Sequence, residues 1–512
     1  MNQNPKITEM KRREAFKRLI NLSLAGMCLL MEILIFTYNY LKYFYPSINN
    51  IVELNYWFNG YLLQEVVYAL MLFFFSKMYG GLRIGFLKNS EIIFSQIFAT
   101  VIVNLFTYAQ MSLMVTKLFY PVYFLTMTVE QLVVIMVWIN IANKIYQRVF
   151  PPRKLLLVHG DRPIGDICRK FEGRKDKYTI VDRVNVNMKM DELKRRIMQG
   201  YEKGEYSAVV IWDVTVEQRN CLLKFCYSHS IRFYIMPKIT DVILLGAEEL
   251  HLFDTPILLT REYSMTMEQR FIKRMIDIIC SLILLVVASP FMLITAIAIK
   301  LYDGGPVLYK QIRCTEGGRE FYIMKFRSMR TDAEKDGVAR LAKKHDDRIT
   351  PIGRFIRKVR IDELPQLINI LRGDMSFIGP RPERPEIIAQ YVEIMPEFAY
   401  RMKVKAGLAG YAQIYGKYNT TPYDKLKLDL TYIENYSLWL DIKLMLLTLK
   451  ILLWPDSTEG VESEQVTAFK QEYLSRQQSK EGQPKEEQSK EGQPKEEQPK
   501  EGQPKEEQPR QE

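Results

Sequence analysis

Four long apolar stretches in the first part of the chain constrain its fold more than any other feature. They lie near residues 19–41, 57–77, 91–112 and 121–142. Each has about 20 residues or more, the length that a helix needs to cross a hydrocarbon core of about 30 Å. A signal peptide has a shorter apolar region and is not followed by three similar stretches. We therefore predict a four-helix transmembrane domain over residues 1–150.

Positively charged residues predict how this domain is oriented. Six Lys or Arg residues precede the first stretch, three lie between the second and third, and four follow the last one. The other two loops carry only Lys42 and Lys117. Because loops rich in Lys and Arg stay on the cytoplasmic side, both ends of the domain are expected there. The chain that follows is then delivered into the cytoplasm.

Residues 151–262 have the pattern of an alternating α/β domain. The segments "KLLLVHG" and "YSAVVIWD" predict buried strands, and helical stretches lie around 163–172 and 190–203. The turn "HGDRPIG" keeps Gly160 and Gly165 but lacks the middle glycine that lets a Rossmann turn approach a pyrophosphate. We predict a degenerate Rossmann-like domain, with a working nucleotide site as the less favoured alternative.

A fifth apolar stretch, residues 275–299, is followed by the wrong charge for a simple crossing. Residues 300–360 carry 16 Lys or Arg against 8 Asp or Glu, and a straight span would place them outside. Ser289 and Pro290 lie just past the middle of the stretch, where proline bends or breaks a helix. We predict a re-entrant membrane helix with a break at these two residues; a kinked fifth span is the alternative.

An acid pair among cations is the main candidate for chemistry. In "RKVRIDELPQL", residues 357–367, Asp362 and Glu363 follow three cations. The apolar spacing downstream predicts a short helix with Asp362 as N-cap, Glu363 as first residue, Pro365 in the first turn and Gly373 as C-cap. Taken alone, this pattern is explained by capping.

Further arginines near the pair favour a phosphate site. Arg357 and Arg360 precede it, and Arg381 and Arg384 follow in "GPRPERP". Arginine forks and a helix N-terminus both bind phosphate, although a basic face against the membrane is the simpler interpretation. On a membrane-bound domain the combination predicts phosphoryl transfer from a soluble donor to a lipid phosphate. Nucleic acid is not expected as a partner, because a membrane domain is present and no reader motif is found.

Residues 268–455 resemble the bacterial sugar transferase family, the monotopic phosphoglycosyl transferases. The likeness rests on Ser289-Pro290, "KFRSM" (325–329), "DELPQL" (362–367), "GDMSFIGPRP" (373–382) and "YIENYSLWLDIK" (432–443). The four-span region and the Rossmann-like segment resemble the long-form members in layout. The resemblance implies a mainly α, monotopic catalytic domain over 268–455 with a re-entrant helix, on the cytoplasmic side of the bacterial inner membrane.

The resemblance also implies a reaction. A sugar 1-phosphate passes from a nucleotide sugar, usually a UDP-sugar, to undecaprenyl phosphate, and UMP is released. Asp362 takes the place of the nucleophile that forms a covalent aspartyl-phosphosugar. Glu363 takes a place associated with binding Mg²⁺ or with activating the acceptor phosphate, and Arg357 and Arg381 match positions that engage phosphate. Such transfer starts the assembly of a cell-surface polysaccharide, such as a capsule or exopolysaccharide, or of a glycoconjugate.

The end of the chain has a different composition. Residues 436–454 predict an apolar helix lying at the membrane interface. Within residues 456–512 a ten-residue unit, "EGQPKEEQSK", starts at 481 and recurs nearly verbatim at 491 and 501. A tract without aliphatic or aromatic residues has no apolar surface to bury, so we predict a disordered tail.

An alternative function stays open at this stage. The chain could be a membrane-anchored nucleotide-sensing or scaffolding protein whose transferase domain is inactive. The intact acid pair with its arginines favours the enzyme. The transferred sugar, the pathway and the formation of a homodimer are not readable from the sequence.

Overall fold

A computed structural model describes residues 14–46, 60–162, 164–252, 254–260, 265–331, 348–416 and 420–452. The described part combines long helices with one four-stranded sheet and three two-stranded sheets. Several apolar helices plus a parallel sheet agree with the predicted mixture of a membrane α domain and an α/β domain. The predicted tail over 456–512 lies outside the described residues.

The first domain is a bundle of four long helices. They are α1 (Lys17–Asn39), α2 (Gly60–Tyr79), α3 (Asn89–Val115) and α4 (Pro121–Val149). Together with a later helix, α9 (Met267–Asp303), they make five described helices that are long and apolar enough to cross a membrane. The bundle core is aromatic, and Phe36 stacks on Tyr68 with ring centroids 3.8 Å apart. Each of the four predicted apolar stretches corresponds to one of these helices.

The second unit is a parallel sheet with the order β2-β1-β3-β4. Its elements are β1 (Arg153–His159), α5 (Gly165–Glu172), β2 (Tyr178–Asn185), α6 (Met190–Lys203), β3 (Ala208–Trp212), α7 (Val216–Ser228) and β4 (Arg232–Ile235). A Cβ on Gly160 would lie 1.9 Å from the carbonyl oxygen of Asp213. Arg162 closes the same turn with an ion pair to Asp213, N–O 3.1 Å. This glycine therefore allows a close contact between two strand ends.

A helix and a hairpin connect the parallel sheet to the domain formed by residues 268–455. Helix α8 (Ile239–Leu245) follows the sheet, and then a hairpin of β5 (Glu248–Leu252) and β6 (Thr255–Leu259) has every residue exposed. Ile239 and Val242 of α8 are buried in the same core as residues of the catalytic domain. Helix α8 therefore packs with the domain formed by residues 268–455, although it precedes residue 262.

Helix α9 (Met267–Asp303) runs without interruption through Ser289 and Pro290. The predicted break is wrong as an interruption of the helix, and the reason is local. Pro290 has no N–H for the carbonyl of Val286, four residues earlier. The hydroxyl of Ser289 donates to that carbonyl at 2.8 Å and replaces the missing hydrogen bond.

Both halves of α9 contact the same domain. In the first half, Lys273 Nζ donates to the carbonyl of Ile378 at 3.0 Å. In the second half, Ile299 packs with Phe326 and Ile356. The apolar side chains between these two contact regions are mostly exposed, which is where a lipid environment would surround them.

The remaining elements are shorter than α9. They are β7 (Leu308–Cys314), β8 (Glu320–Phe326), α10 (Pro351–Lys358), α11 (Gln366–Arg372), β9 (Ser376–Ile378), α12 (Pro385–Ile394), β10 (Gly407–Ala409), α13 (Tyr411–Tyr415), α14 (Pro422–Glu434) and α15 (Leu438–Leu452). Helix α15, which was predicted to lie at the membrane interface, contacts the bundle of α1 to α4. Its Leu447 packs with Tyr79 and Ala99 of the bundle, and its Lys450 donates to Ser95 Oγ at 2.7 Å.

Candidate active site

The acid pair lies in one 3₁₀ turn, Ile361–Glu363, between α10 and α11. The prediction that Asp362 caps the helix is wrong. Helix α11 begins at Gln366, and no side chain makes a capping hydrogen bond at its start. The acid pair belongs instead to a separate turn that closes with i→i+3 bonds.

Backbone amides in this turn are already occupied. Glu363 N donates to Arg360 O at 3.3 Å, and Leu364 N donates to Ile361 O at 3.1 Å. These amides are not free to bind phosphate, so the positive charge at the site comes from side chains. The C-terminal end of α11 is as predicted, with Gly373 in the left-handed region at φ 90°.

Asp362 is buried and available. It is 9% exposed, and within the described residues no group donates a hydrogen bond to its carboxylate. Burial and the adjacent Glu363 raise the pKa of Asp362 to about 6, against the opposing charges of Lys325, Arg357 and Arg360. At neutral pH the carboxylate is ionised, more basic than an ordinary Asp, and not held by any donor.

Glu363 has the opposite environment. Its Oε1 accepts from Lys325 Nζ at 2.9 Å and from Arg381 Nη2 at 3.3 Å. Burial disfavours its charge, but Lys325, Arg381 and Arg360 together hold the pKa of Glu363 well below its usual value. Two neighbouring acids with pKa values pushed apart are the arrangement expected when they take different chemical roles.

The loop that carries Arg381 is held from behind by the buried Arg401 and the half-buried Arg313. Arg401 donates to the carbonyl of Arg381 at 3.0 Å and to Asp429 at 2.8 Å. Arg313 donates to the carbonyl of Pro382 at 3.2 Å. The guanidinium of Arg381 itself stays accessible, with its side chain 42% exposed. The loop therefore presents one arginine toward the acid pair and holds it in place.

The structure brings together most of the predicted site residues. Arg357, half-buried on α10, and Arg381 both lie close enough to act on the acid pair. Ser289 and Pro290 are exposed on α9 and do not contact it. Sequence reasoning missed Lys325 and Arg401. Lys325 stands in the quoted "KFRSM" segment, so its place in a family motif was the signal that could have found it.

The arrangement suits attack on phosphorus. An ionised carboxylate without a hydrogen-bond partner is a competent nucleophile when nearby cations offset its repulsion by an anionic substrate. Lys325, Arg357 and Arg381 come from three different parts of the chain and provide those cations around the turn that carries the acid pair. The arrangement is therefore of the kind that phosphoryl transfer requires.

Metal binding by the protein alone is not supported by the donor set. Among the described residues no group of three or more His, Cys, Asp and Glu side chains could hold a metal ion. Glu363 Oε1 already accepts from two cations. Mg²⁺ is commonly bound through one or two carboxylates together with substrate phosphates, and Asp362 and Glu363 fit that mode.

Comparison with known proteins agrees with this class. Residues 268–455 match the family model described as bacterial sugar transferase. An N-acetylgalactosaminephosphotransferase from Aeromonas hydrophila, which uses UDP-N-acetylgalactosamine and undecaprenyl phosphate by name, is 45% identical over 186 residues, 36% of this chain and 44% of that protein. The UDP-glucose:undecaprenyl-phosphate glucose-1-phosphate transferase of Xanthomonas campestris pv. campestris is 36% identical over 234 residues, 44% and 48% of the two chains.

A shorter relative is covered more fully. The UDP-glucose:undecaprenyl-phosphate glucose-1-phosphate transferase of Caulobacter vibrioides is 40% identical over 190 residues, which are 36% of this chain and 71% of that protein. The match thus spans less than half of the Aeromonas and Xanthomonas proteins and most of the Caulobacter one. The chain belongs to the bacterial sugar transferase family.

Proposed function

We propose that this protein transfers a sugar 1-phosphate from a UDP-sugar to undecaprenyl phosphate, which starts the assembly of a cell-surface polysaccharide or glycoconjugate. The names of the relatives support the substrates. The observation that carries the proposal is the contrast within the acid pair. Asp362 is buried and has no hydrogen-bond partner among the described residues, whereas Glu363 is bonded to two cations.

In the first step, a carboxylate oxygen of Asp362 forms a bond to the β-phosphorus of the donor. The bond from that phosphorus to the bridging oxygen breaks, and UMP leaves with the electron pair. Arg381 and Lys325 offset the negative charge that approaches them, and Arg357 keeps Asp362 ionised. The product is an aspartyl-phosphosugar on the enzyme.

In the second step, a phosphate oxygen of undecaprenyl phosphate attacks the same phosphorus. The bond to Asp362 breaks, its carboxylate is restored, and the lipid diphosphate sugar is released. Glu363 keeps Lys325 and Arg381 in place during both steps, because its Oε1 bonds both of them.

Mg²⁺ is proposed as a cofactor that arrives with the donor. Glu363, with Asp362 beside it, would hold it together with phosphate oxygens of the substrate. When bound, it would neutralise phosphate charge and so assist departure of UMP.

The membrane arrangement is proposed from charge and contact together. Both halves of α9 lie against the catalytic domain, and Arg327 binds Asp303 at the C-terminal end of the helix. With positive charge on either side of the apolar run, this supports a re-entrant path in which α9 bends at Ser289 and Pro290 while it stays helical. The catalytic domain is then on the cytoplasmic side, where it would meet the soluble UDP-sugar donor.

Purified full-length protein, undecaprenyl phosphate and a panel of UDP-sugars test the function. We expect UMP release with a subset of donors, dependent on both lipid and Mg²⁺ for continued turnover. Absence of UMP release from every donor, by protein that is folded, would contradict it. Tight nucleotide binding by the Rossmann-like domain in the same preparation would then favour a sensing protein.

A further inference from the structure

Among the described residues, Lys425 is a cation without an ion-pair partner. It lies half-buried on α14, and within the described part of the chain its Nζ has no hydrogen-bond or ion-pair partner. Burial lowers the pKa of Lys425; Glu383 opposes this shift, and Arg401 and Arg381 add to it. A desolvated ammonium without a partner is costly unless a ligand anion supplies one.

The position of Lys425 follows from its neighbour one turn along the helix. Residues four apart lie on the same helix face, so Lys425 shares the face of Asp429. Asp429 accepts from Arg401, which in turn donates to the carbonyl of Arg381. Lys425 therefore faces the loop that presents Arg381 to the acid pair.

Charges around this loop do not balance. Four cations surround it, Arg313, Arg381, Arg401 and Lys425, and two carboxylates neutralise part of them, Glu383 and Asp429. Among these six groups the cations exceed the carboxylates by two, when Glu363, which pairs with both Lys325 and Arg381, is counted with Lys325. The Nε atoms of Arg313 and Arg401 are also buried without an acceptor among the described residues. A diphosphate, with two or more negative charges, matches this excess.

We propose that Lys425 binds the α-phosphate of the nucleoside diphosphate sugar, the phosphate that leaves in UMP. The inference rests on the proposed function. Arg381 bonds Glu363 and so lies at the phosphorus under attack, and it is also a neighbour of Lys425. The proposal therefore places the α-phosphate between Arg381 and Lys425.

Lys427 provides a matched control on the same helix. Its Nζ binds Asp424 at 2.8 Å and lies 4.6 Å from the ring centroid of Tyr423. It has the same charge as Lys425, is two residues away, and is already paired within the protein. Neutralising it changes the net charge equally without removing the proposed contact.

The test measures UMP binding and donor kinetics with full-length protein. We expect Lys425→Gln to weaken UMP binding roughly 10- to 100-fold, the range for one charge-assisted contact. The donor KM should rise by a similar factor while kcat changes less. Lys425→Arg should restore most of the affinity, and Lys427→Gln should bind UMP like the natural protein. Thermal unfolding checks that each variant is folded; if Lys425→Gln is not, Lys425→Met replaces it.

Unchanged UMP affinity in the folded Lys425 variant would overturn the inference, as would equal losses for Lys425→Gln and Lys427→Gln. A rise in donor KM with unchanged UMP affinity would also overturn it, because the contact would then not be to the α-phosphate. If the natural protein binds UMP through Lys425 but turns over no UDP-sugar, the proposed function fails while the nucleotide contact stands.

Discussion

Replacing Asp362 by Asn removes the charge of the proposed nucleophile and keeps its shape. The substitution should lower UMP formation by orders of magnitude, since an amide cannot form the covalent intermediate. It should also make the protein more stable at neutral pH. The natural protein carries a buried charge there that the Asn variant lacks.

The size of this gain follows from the pKa of Asp362. Its usual value is 3.8, and in the folded protein it is about 6. That difference corresponds to about 3 kcal/mol. Below pH 4 the group is protonated in both states, so the natural protein and the variant should be nearly equal in stability. As pH rises from 4 to 6 the unfolded chain ionises first and the natural protein loses stability; above 6 the loss is complete.

Thermal unfolding in one detergent, at pH 4.5 and at pH 7.5, measures this difference. For a domain of this size, about 3 kcal/mol corresponds to roughly 6–12 °C in the Tm of the catalytic domain. We expect Asp362→Asn to unfold at a higher temperature at pH 7.5, with most of the gap closed at pH 4.5. A folded-state cap would behave differently, because Asn caps as well as Asp and Asp362→Ala would cost only about 1 kcal/mol. Equal Tm values at pH 7.5, or ordinary UMP formation by the Asn variant, would refute the reasoning.

Four further outcomes are expected. Formation of the enzyme-bound intermediate should rise with pH through about 6 and level off above it, because only the ionised Asp362 attacks; a rate that falls over this range would argue against it. Lys325→Met should lower UMP formation at least tenfold and raise the pKa of Glu363, which a shifted pH–rate profile would report; an unchanged profile would mean that Lys325 is not coupled to the reaction. Lys273→Met leaves the buried carboxylate of Asp441 without its ion-pair partner. Thermal unfolding should therefore show a free energy of unfolding lower by about 3–5 kcal/mol, and an equally stable variant would contradict this. A cysteine introduced at Arg330 should resist an impermeant maleimide added to intact cells, and labelling from outside would exclude the cytoplasmic placement.

The fold was predictable where a physical requirement acts on the sequence directly. Four apolar stretches had to be near 20 residues to cross a bilayer, and α1 to α4 follow them closely. The sequence does not show which element covers an apolar face. Helix α15 has the composition of an interfacial helix, yet its Leu447 packs on the bundle, because periodicity shows that a face is buried and not what covers it.

The same limit applies to the site. Asp362, Glu363, Arg357 and Arg381 could be predicted because they stand in or near one motif. Lys325 is 38 residues from Glu363 and reaches it only through the placement of strand β8, which no local pattern specifies.

Two local rules also gave the wrong detail, each for an identifiable reason. The predicted cap at Asp362 failed because Ile361–Glu363 form a separate 3₁₀ turn and α11 begins only at Gln366. The predicted break at Pro290 failed because the hydroxyl of Ser289 replaces the missing backbone donor.

The covalent intermediate is the central claim, and trapping it is the most direct test. Full-length protein is incubated with UDP-sugar labelled with ³²P at the β-phosphate, with Mg²⁺ and without lipid, and the label is mapped by proteolysis. We predict protein-bound label on the peptide that contains Asp362, release of UMP in equal amount, and loss of the label when undecaprenyl phosphate is added. Label on another residue, or no bound label from protein that turns over normally with lipid present, would contradict Asp362 as the nucleophile.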